Sequence, residues 1–246
     1  MSTTEAFAIV LPALFFGGFV KGAVGFGIPL VATPILLFFL PLPQIISLYA
    51  FPVIASNIQQ LWLTRKHGNV IRVVWPLIVT NAIVLLLGSH LIVSMDGDRI
   101  RVIVGCFIIV HAVLMDRSYS PSARKPDSLI AAGFAGTLSG VIGSLSSFFF
   151  FPAVQLLHSM RLDPPAFVYA TGLFLISGFA ALWLGVFVHG GAAIENVGYS
   201  AMAVVPVALG VWAGNRTRQK MDSQKFYPLV GVTLFLVGVS LVVRSL

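Results

Sequence analysis

The chain has 246 residues, of which 58% are hydrophobic and only 9% are charged, and its mean hydropathy is +0.98. A soluble domain could not cover its surface with so few polar groups, and the continuous apolar runs are unlike the alternating pattern of a membrane β-barrel. The net charge of +7 comes from short basic segments between the apolar runs, a pattern that orients membrane proteins and does not indicate nucleic-acid binding. Composition therefore predicts an all-α polytopic membrane protein whose surroundings are the lipid bilayer.

The apolar runs predict the helices in chain order. Full-length spans are predicted at 44–64, 73–95, 99–115, 165–188, 194–215 and 225–243. The remaining apolar segments, 6–40 and 128–160, are too long for one crossing and too short for two, and Gly, Pro or Ser interrupts each near its middle. We predict that each of them is a helical hairpin with two short arms, either re-entrant or barely spanning.

Basic residues indicate the orientation of these spans. They cluster in the loops 65–72, 117–125 and 216–225, which the positive-inside rule places in the cytoplasm. This assignment is self-consistent if each hairpin enters and leaves the membrane on the same side. We predict a multi-pass membrane protein with both termini outside the cytoplasm.

An internal repeat relates the two halves of the chain. At one constant spacing, the residues Gly18, Gly22, Gly25 and Pro34 return as Gly136, Gly140, Gly143 and Pro152. Because the first hairpin starts outside and the second starts inside, the halves have opposite orientations, as in many secondary transporters. We predict two inverted-topology repeats, each a broken helical hairpin plus three transmembrane helices. The first repeat is 1–115, a cytoplasmic linker is 116–127, and the second repeat is 128–246.

Lys21 lies well inside an apolar run and is flanked by glycines. A cation within a membrane segment is costly unless it faces protein or water, which favours a functional site. The alternative is a lysine that extends its ammonium group to the membrane interface. The aligned residue of the second half is Ser139, so a site built by both halves would carry its charge on one side.

Broken membrane helices suit anion binding. A helix N-terminus offers free N–H groups and a partial positive charge, and glycine lets the backbone come close to a ligand. We expect the two breaks to meet near the membrane centre, where hydroxyl and amide side chains add donors. The candidate substrate-binding residues are Lys21, Gly22, Gly25, Gly27, Asn57, Gly140, Gly143, Ser144, Ser146 and Ser147. Asn81 and Gln155 are assigned to hydrogen bonds between helices.

The Gly-x3-Gly-x2-Gly pattern, followed nine residues later by Pro and present once per half, resembles the TauE/SafE sulfite exporter family. This group is also called the toluene sulfonate uptake permease family. Its members tend to carry consecutive glycines after the third motif glycine, where this chain has Phe26-Gly27-Ile28-Pro29 and Ser144-Leu145-Ser146-Ser147. The resemblance implies that the protein transports sulfite, organosulfonates or related small anions across the inner membrane.

Alternating access, with the anion held at the two Gly-rich helix breaks, is the leading hypothesis for the mechanism. The alternative is a transporter or channel for another small organic or inorganic anion. An intramembrane enzyme is not expected, since the spans offer neither a nucleophile–base pair nor a metal cluster, and no cofactor or metal is predicted. All acidic residues lie in loops or at segment ends, so no buried carboxylate is expected as a coupling group. This predicts facilitated anion movement down an electrochemical gradient. The alternative is weak coupling through another group, and backbone carbonyls at the helix breaks could hold sodium. The direction of transport and the oligomeric state stay open.

Overall fold

The computed structural model describes residues 3–24, 27–115, 129–191, 195–218 and 235–245. A 3-10 segment, Arg65–Val70, joins two of its helices. The α-helices are α1 (Thr3–Val24), α2 (Ile28–Leu36), α3 (Leu42–Thr64), α4 (Ile71–Ser94), α5 (Gly97–Met115), α6 (Leu129–Ser146), α7 (Phe151–Ser159), α8 (Pro164–Val188), α9 (Glu195–Arg218) and α10 (Phe235–Ser245). Gly25, the predicted linker 116–127 and part of the predicted span 225–243 lie outside the described residues.

The all-helical part of the fold prediction is confirmed. Among the described residues, three helical stretches are long and apolar enough to cross a membrane: Leu42–Ser94, which includes α3 and α4, Leu129–Ser146 and Pro164–Val188. Many large apolar side chains are exposed on the outside of the helices, as a lipid environment requires. They include Phe16, Trp62, Leu87, Phe134 and Trp212. A polytopic membrane protein agrees with both observations.

Both predicted hairpins are broken near their middles, but their arms are unequal. The first hairpin has a 22-residue arm, α1, and a 9-residue arm, α2; the second has an 18-residue arm, α6, and a 9-residue arm, α7. At 1.5 Å per residue the long arms measure about 33 and 27 Å, enough to cross much of a bilayer. The prediction of two short arms was therefore wrong for α1 and α6. Their helices continue through the glycines because neighbouring helices pack directly against them.

The helices form two compact units. Unit 1 contains α1, α2, α3 up to Pro52, α5, α9 and α10, whereas unit 2 contains α3 from Val53, the 3-10 segment, α4, α6, α7 and α8. Each unit thus holds one hairpin and takes helices from both predicted repeats. The division into two sequential repeats stays a prediction.

In unit 1, α1 packs against α9 through glycines on both helices. A Cβ atom added to Gly18 or Gly22 of α1 would overlap the carbonyl oxygen of Val207 or Val211. In return, Gly210 of α9 contacts the backbone of α1, where its own Cβ would meet the carbonyl oxygen of Phe15. Small residues are common at membrane helix contacts because they let backbones approach closely.

Unit 2 repeats this arrangement with α6 and α4. A Cβ atom on Gly136 would overlap the carbonyl oxygen of Leu77, and one on Gly140 would lie 3.1 Å from that of Asn81. Gly136 and Gly140 are the repeat counterparts of Gly18 and Gly22. The long arm of each hairpin therefore packs on a span from the other half of the sequence, through equivalent glycines.

A serine from α9 completes a proline kink in α3. Pro52 has no N–H group to donate to the carbonyl of Leu48, one turn earlier. The Ser200 hydroxyl donates to this oxygen instead, at 3.2 Å, and accepts a hydrogen bond from the Phe51 N–H at 3.0 Å. The backbone groups beside the proline are thereby satisfied without water, as the interior of a membrane protein demands.

Candidate functional site

The break of the first hairpin ends at Gly27, which precedes the first residue of α2. Its φ angle of 127° lies in a region that side chains disfavour, so glycine permits the chain to reverse here. Pro29 stands in the first turn of α2, where the missing N–H group costs no helical hydrogen bond. The helix therefore begins sharply at Ile28, and its N-terminal N–H groups have no acceptors within the helix.

Lys21 lies in the last turn of α1 and is buried within unit 1. Only 6% of the residue is exposed, so it does not extend to the surface as a lysine at a membrane interface does. A positive charge near the C-terminus of a helix is favourable, because the helix dipole is negative there. The structure thus keeps the ammonium group inside the protein, close to the break that the sequence indicated.

The motif glycines that the structure describes lie inside the long arms, before the breaks. Gly22 packs against the backbone of α9, and Gly140 packs against that of α4. Gly143 is closer to the second break, where a Cβ atom would lie 2.5 Å from the Cβ of Phe149 and 2.6 Å from a methyl group of Leu85. Close helix packing is therefore an observed task of these glycines, and substrate contact by them stays a prediction.

Serine and phenylalanine residues form the second break, and its serines differ in their contacts. The Ser144 hydroxyl lies 2.8 Å from the Gly140 carbonyl oxygen and 3.2 Å from that of Val84. Ser146 donates to the carbonyl of Ile142 at 2.8 Å and accepts from the N–H of Phe148 at 3.2 Å, which caps the end of α6. Both hydroxyl protons therefore have acceptors within the protein.

Ser147 is the exception among the serines of this break. Its φ angle is 65°, a left-handed conformation that is unusual for a residue with a side chain. The side chain is buried, and its Oγ has no hydrogen-bond partner among the described residues. Backbone strain of this kind tends to occur at functional sites, where the surrounding structure maintains it.

The amide side chains of α3 have mainly local or interhelical partners. Asn57 is fully buried, and its amide donates to the carbonyl of Val53 at 2.8 Å within the same helix. Gln60 donates to the carbonyl of Val168 on α8 at 3.2 Å, which links two helices of unit 2. Asn57 stays a candidate for substrate contact, while Gln60 serves packing.

Several buried polar groups of unit 2 have no partner among the described residues, which the sequence did not indicate. No hydrogen-bond partner exists within the described part of the chain for side-chain atoms of Asn81, Ser139 and Thr171. Asn81 was assigned to a hydrogen bond between helices, and this assignment is wrong for the described structure. The sequence did show that Asn81 lies in the middle of an apolar span. Whether its amide has a hydrogen-bond partner can be recognised only once the neighbouring side chains are known.

The chemistry of these groups is suited to an anion. Lysine, asparagine and serine side chains all donate hydrogen bonds, whereas the acidic side chains whose burial is described, Asp96, Asp98 and Asp163, are exposed. Asp98 pairs with Arg101 at the surface. In the ranges that the structure covers, no group of three or more His, Cys, Asp or Glu residues could hold a metal ion. Buried donors beside helix breaks are the groups that a membrane protein needs to bind a small anion.

The particular family follows from comparison with known proteins. The chain belongs to the sulfite exporter TauE/SafE family, whose model matches residues 10–241. This confirms the resemblance carried by the glycine pattern. The family consists of membrane transporters of sulfite and related sulfur-containing anions and is not a family of enzymes. No curated protein and no solved structure matches the chain.

Proposed function

We propose that this protein carries sulfite or an organosulfonate across the cell inner membrane by alternating access. The observation that carries the proposal is the combination of family membership with a buried lysine beside the first helix break and, at the second, a buried serine that is unpaired among the described residues. A transporter or channel for another small anion is the competing function. It is less favoured because the match to the sulfite exporter model covers almost the whole chain.

The donors present fit the charge and shape of these anions. Sulfite and sulfonate carry three oxygen atoms that accept hydrogen bonds, and an anion enters a low-dielectric environment only when several donors replace its water. In unit 2 the Ser147 hydroxyl is available at the break. In unit 1 Lys21 provides a full positive charge near the break that ends at Gly27. The proposed binding residues also include Gly22, Gly25, Asn57, Gly140, Gly143, Ser144 and Ser146.

Equivalent packing in the two units supports a mechanism based on inverted repeats. Gly18 packs against the carbonyl oxygen of Val207 on α9, and its counterpart Gly136 packs in the same way against that of Leu77 on α4. Pro206 and Pro76, each one residue before the contacted position, also correspond. If the two repeats have opposite orientations, the protein would pass from an outward-open to an inward-open state when each repeat adopts the conformation of the other. The orientation of the repeats is part of the proposal.

Transport in purified proteoliposomes tests the function. We expect saturable uptake of radiolabelled sulfite, inhibited by methanesulfonate, at a rate that an imposed proton or sodium gradient leaves unchanged. The reason is that the acidic side chains whose burial is described are exposed, and thus no carboxylate among them can bind a coupling ion inside the protein.

The same assay separates the competing functions. Flux that rises linearly with concentration at high rates would replace the carrier by a channel, and strong acceleration by either gradient would contradict uncoupled transport. Uptake of a carboxylate such as acetate in preference to both sulfur anions would contradict the proposed substrate. Empty liposomes and liposomes with an unrelated membrane protein serve as controls.

A further inference from the structure

Unit 2 contains a carboxamide that is buried without a partner. Asn81 lies in the middle of α4 and is 0% exposed. Neither its amide nitrogen Nδ2 nor its oxygen Oδ1 forms a hydrogen bond with any described residue. An orphaned buried amide forfeits the hydrogen bonds it had with water, and native proteins rarely retain one without a ligand, an ion or an ordered water. The amide is therefore a place where a ligand, an ion or an ordered water can bind.

The surroundings of Asn81 place it at the second helix break. Its Nδ2 atom lies 3.0 Å from the position that a Cβ atom on Gly178 of α8 would take. A ring carbon of Phe149, a residue of the break, lies 2.7 Å from the same position. The backbone of Asn81 is equally close to α6, since its carbonyl oxygen is 3.1 Å from a Cβ position on Gly140. The carboxamide therefore lies beside α8 and near Phe149 of the break, while the backbone of Asn81 packs against α6.

Two further features of the break favour a bound oxyanion over a purely structural role. Ser147, two residues before Phe149, holds a second buried and unpaired donor on a strained backbone. Phe149 packs edge-on against Phe174 and Phe179, with ring centroids 5.6 and 4.9 Å away. Packed rings of this kind make the break apolar, and a hydrogen bond to a charged ligand is stronger in apolar surroundings.

We infer that Asn81 binds the transported anion, with its Nδ2 amide donating to one of the sulfite or sulfonate oxygens at the second break. Ser147 supplies a further hydroxyl donor to the same ligand. The inference rests on the proposed function and adds a neutral recognition element to it. Donors without charge bind an oxyanion while allowing it to leave, whereas a carboxylate at position 81 would repel it.

The test compares Asn81→Leu with Thr80→Val, its neighbour on α4. Thr80 makes a satisfied contact, with its hydroxyl 2.7 Å from the Pro76 carbonyl oxygen and 3.0 Å from that of Gly133. Thermal unfolding of purified protein is followed at increasing concentrations of sulfite and of methanesulfonate. For Asn81→Leu we expect an unliganded Tm equal to or above that of the wild type, because an unpaired amide is removed, together with an anion Kd raised about tenfold or more.

Thr80→Val should show the opposite behaviour, a lower unliganded Tm with an unchanged anion Kd. Ser147→Ala should weaken binding without lowering the unliganded Tm. If Asn81→Leu lowers the unliganded Tm and retains the wild-type Kd, the amide has a structural role and the inference is overturned. Asn81→Ala is measured in parallel, and failure of both Asn81 variants to fold would overturn it as well. A wild type that neither anion stabilises would overturn the proposed function itself.

Discussion

Lys21 is a cation that the fold holds away from water. Burial of an ammonium group costs much free energy of desolvation. A protein retains such a group when the interaction with a charged ligand or partner offsets that penalty. Residue-level reasoning from the sequence singled out Lys21, because a charge in an apolar run has few explanations, but it left open whether the side chain is buried or extends to the membrane interface. The structure shows that it is buried. The same reasoning misjudged Asn81, since amides are common between membrane helices and the sequence alone does not reveal whether a partner exists.

Replacement of Lys21 by methionine tests whether its charge serves the anion. We expect Lys21→Met to fold and to raise the Kd for sulfite by about tenfold to a hundredfold, because a charge-assisted hydrogen bond or its electrostatic equivalent is lost. Sulfite-dependent thermal shifts measure the effect. Lys66→Met, which removes an exposed charge from the 3-10 segment, is the matched control and should leave the Kd unchanged. Equal affinities in all three proteins would exclude Lys21 from the site.

At the scale of elements, the glycine motif has a packing role that the sequence did not reveal. Glycines near a break look like part of the break, because glycine is a poor helix former in isolation. In the fold, Gly18 and Gly22 continue α1, and Gly136 and Gly140 continue α6. Contact with a second helix overrides the local preference, and this contact joins residues far apart in the sequence. The arms were therefore predicted too short.

Two alanine substitutions on α6 test this packing role. A Cβ atom on Gly136 would overlap the Thr80 hydroxyl and the Leu77 carbonyl, whereas one on Gly133 would have its nearest neighbour at an ordinary 3.8 Å. We expect Gly136→Ala to lower the free energy of unfolding by about 1 to 3 kcal/mol through overpacking. Gly133→Ala should be neutral or slightly stabilising, because alanine favours the helix. Chemical or thermal unfolding in detergent measures both, and equal stabilities would contradict the tight contact.

For the whole molecule, composition and hydropathy were sufficient to predict an all-helical membrane protein, and most span boundaries agree within a few residues. The pairing of helices was not predictable from the same information. The apolar face of one helix looks much like that of another in the sequence, so it does not reveal which helices pack together. Only the three-dimensional contacts show that α1 packs against α9 and α4 packs against α6. The glycines and prolines that recur between the halves marked the positions of close contact. The sequence did not show which helix each of them contacts.

Orientation is a property of the whole molecule and can be tested with cysteine labelling. The distribution of basic residues predicts that Lys66 lies in the cytoplasm and Gly97 outside. Trp62, which is exposed and packs against the Arg65 guanidinium, would then be an aromatic anchor at the cytoplasmic interface. In a Cys106→Ser background, we expect an impermeant maleimide to label Gly97→Cys in intact cells. Lys66→Cys should be labelled only after the membrane is opened. The reverse pattern would invert the predicted topology.

The pairing of α1 with α9 also has a consequence for biosynthesis. At typical elongation rates, the ribosome needs roughly ten to forty seconds after completing α1 to finish α9. During this interval the first helix resides in the membrane without its final neighbour, whereas α4 and α6 are close in time and can associate early. A chaperone or insertase that shelters a glycine-rich helix carrying a lysine would act in this interval, and maturation of unit 1 would be the last step of assembly.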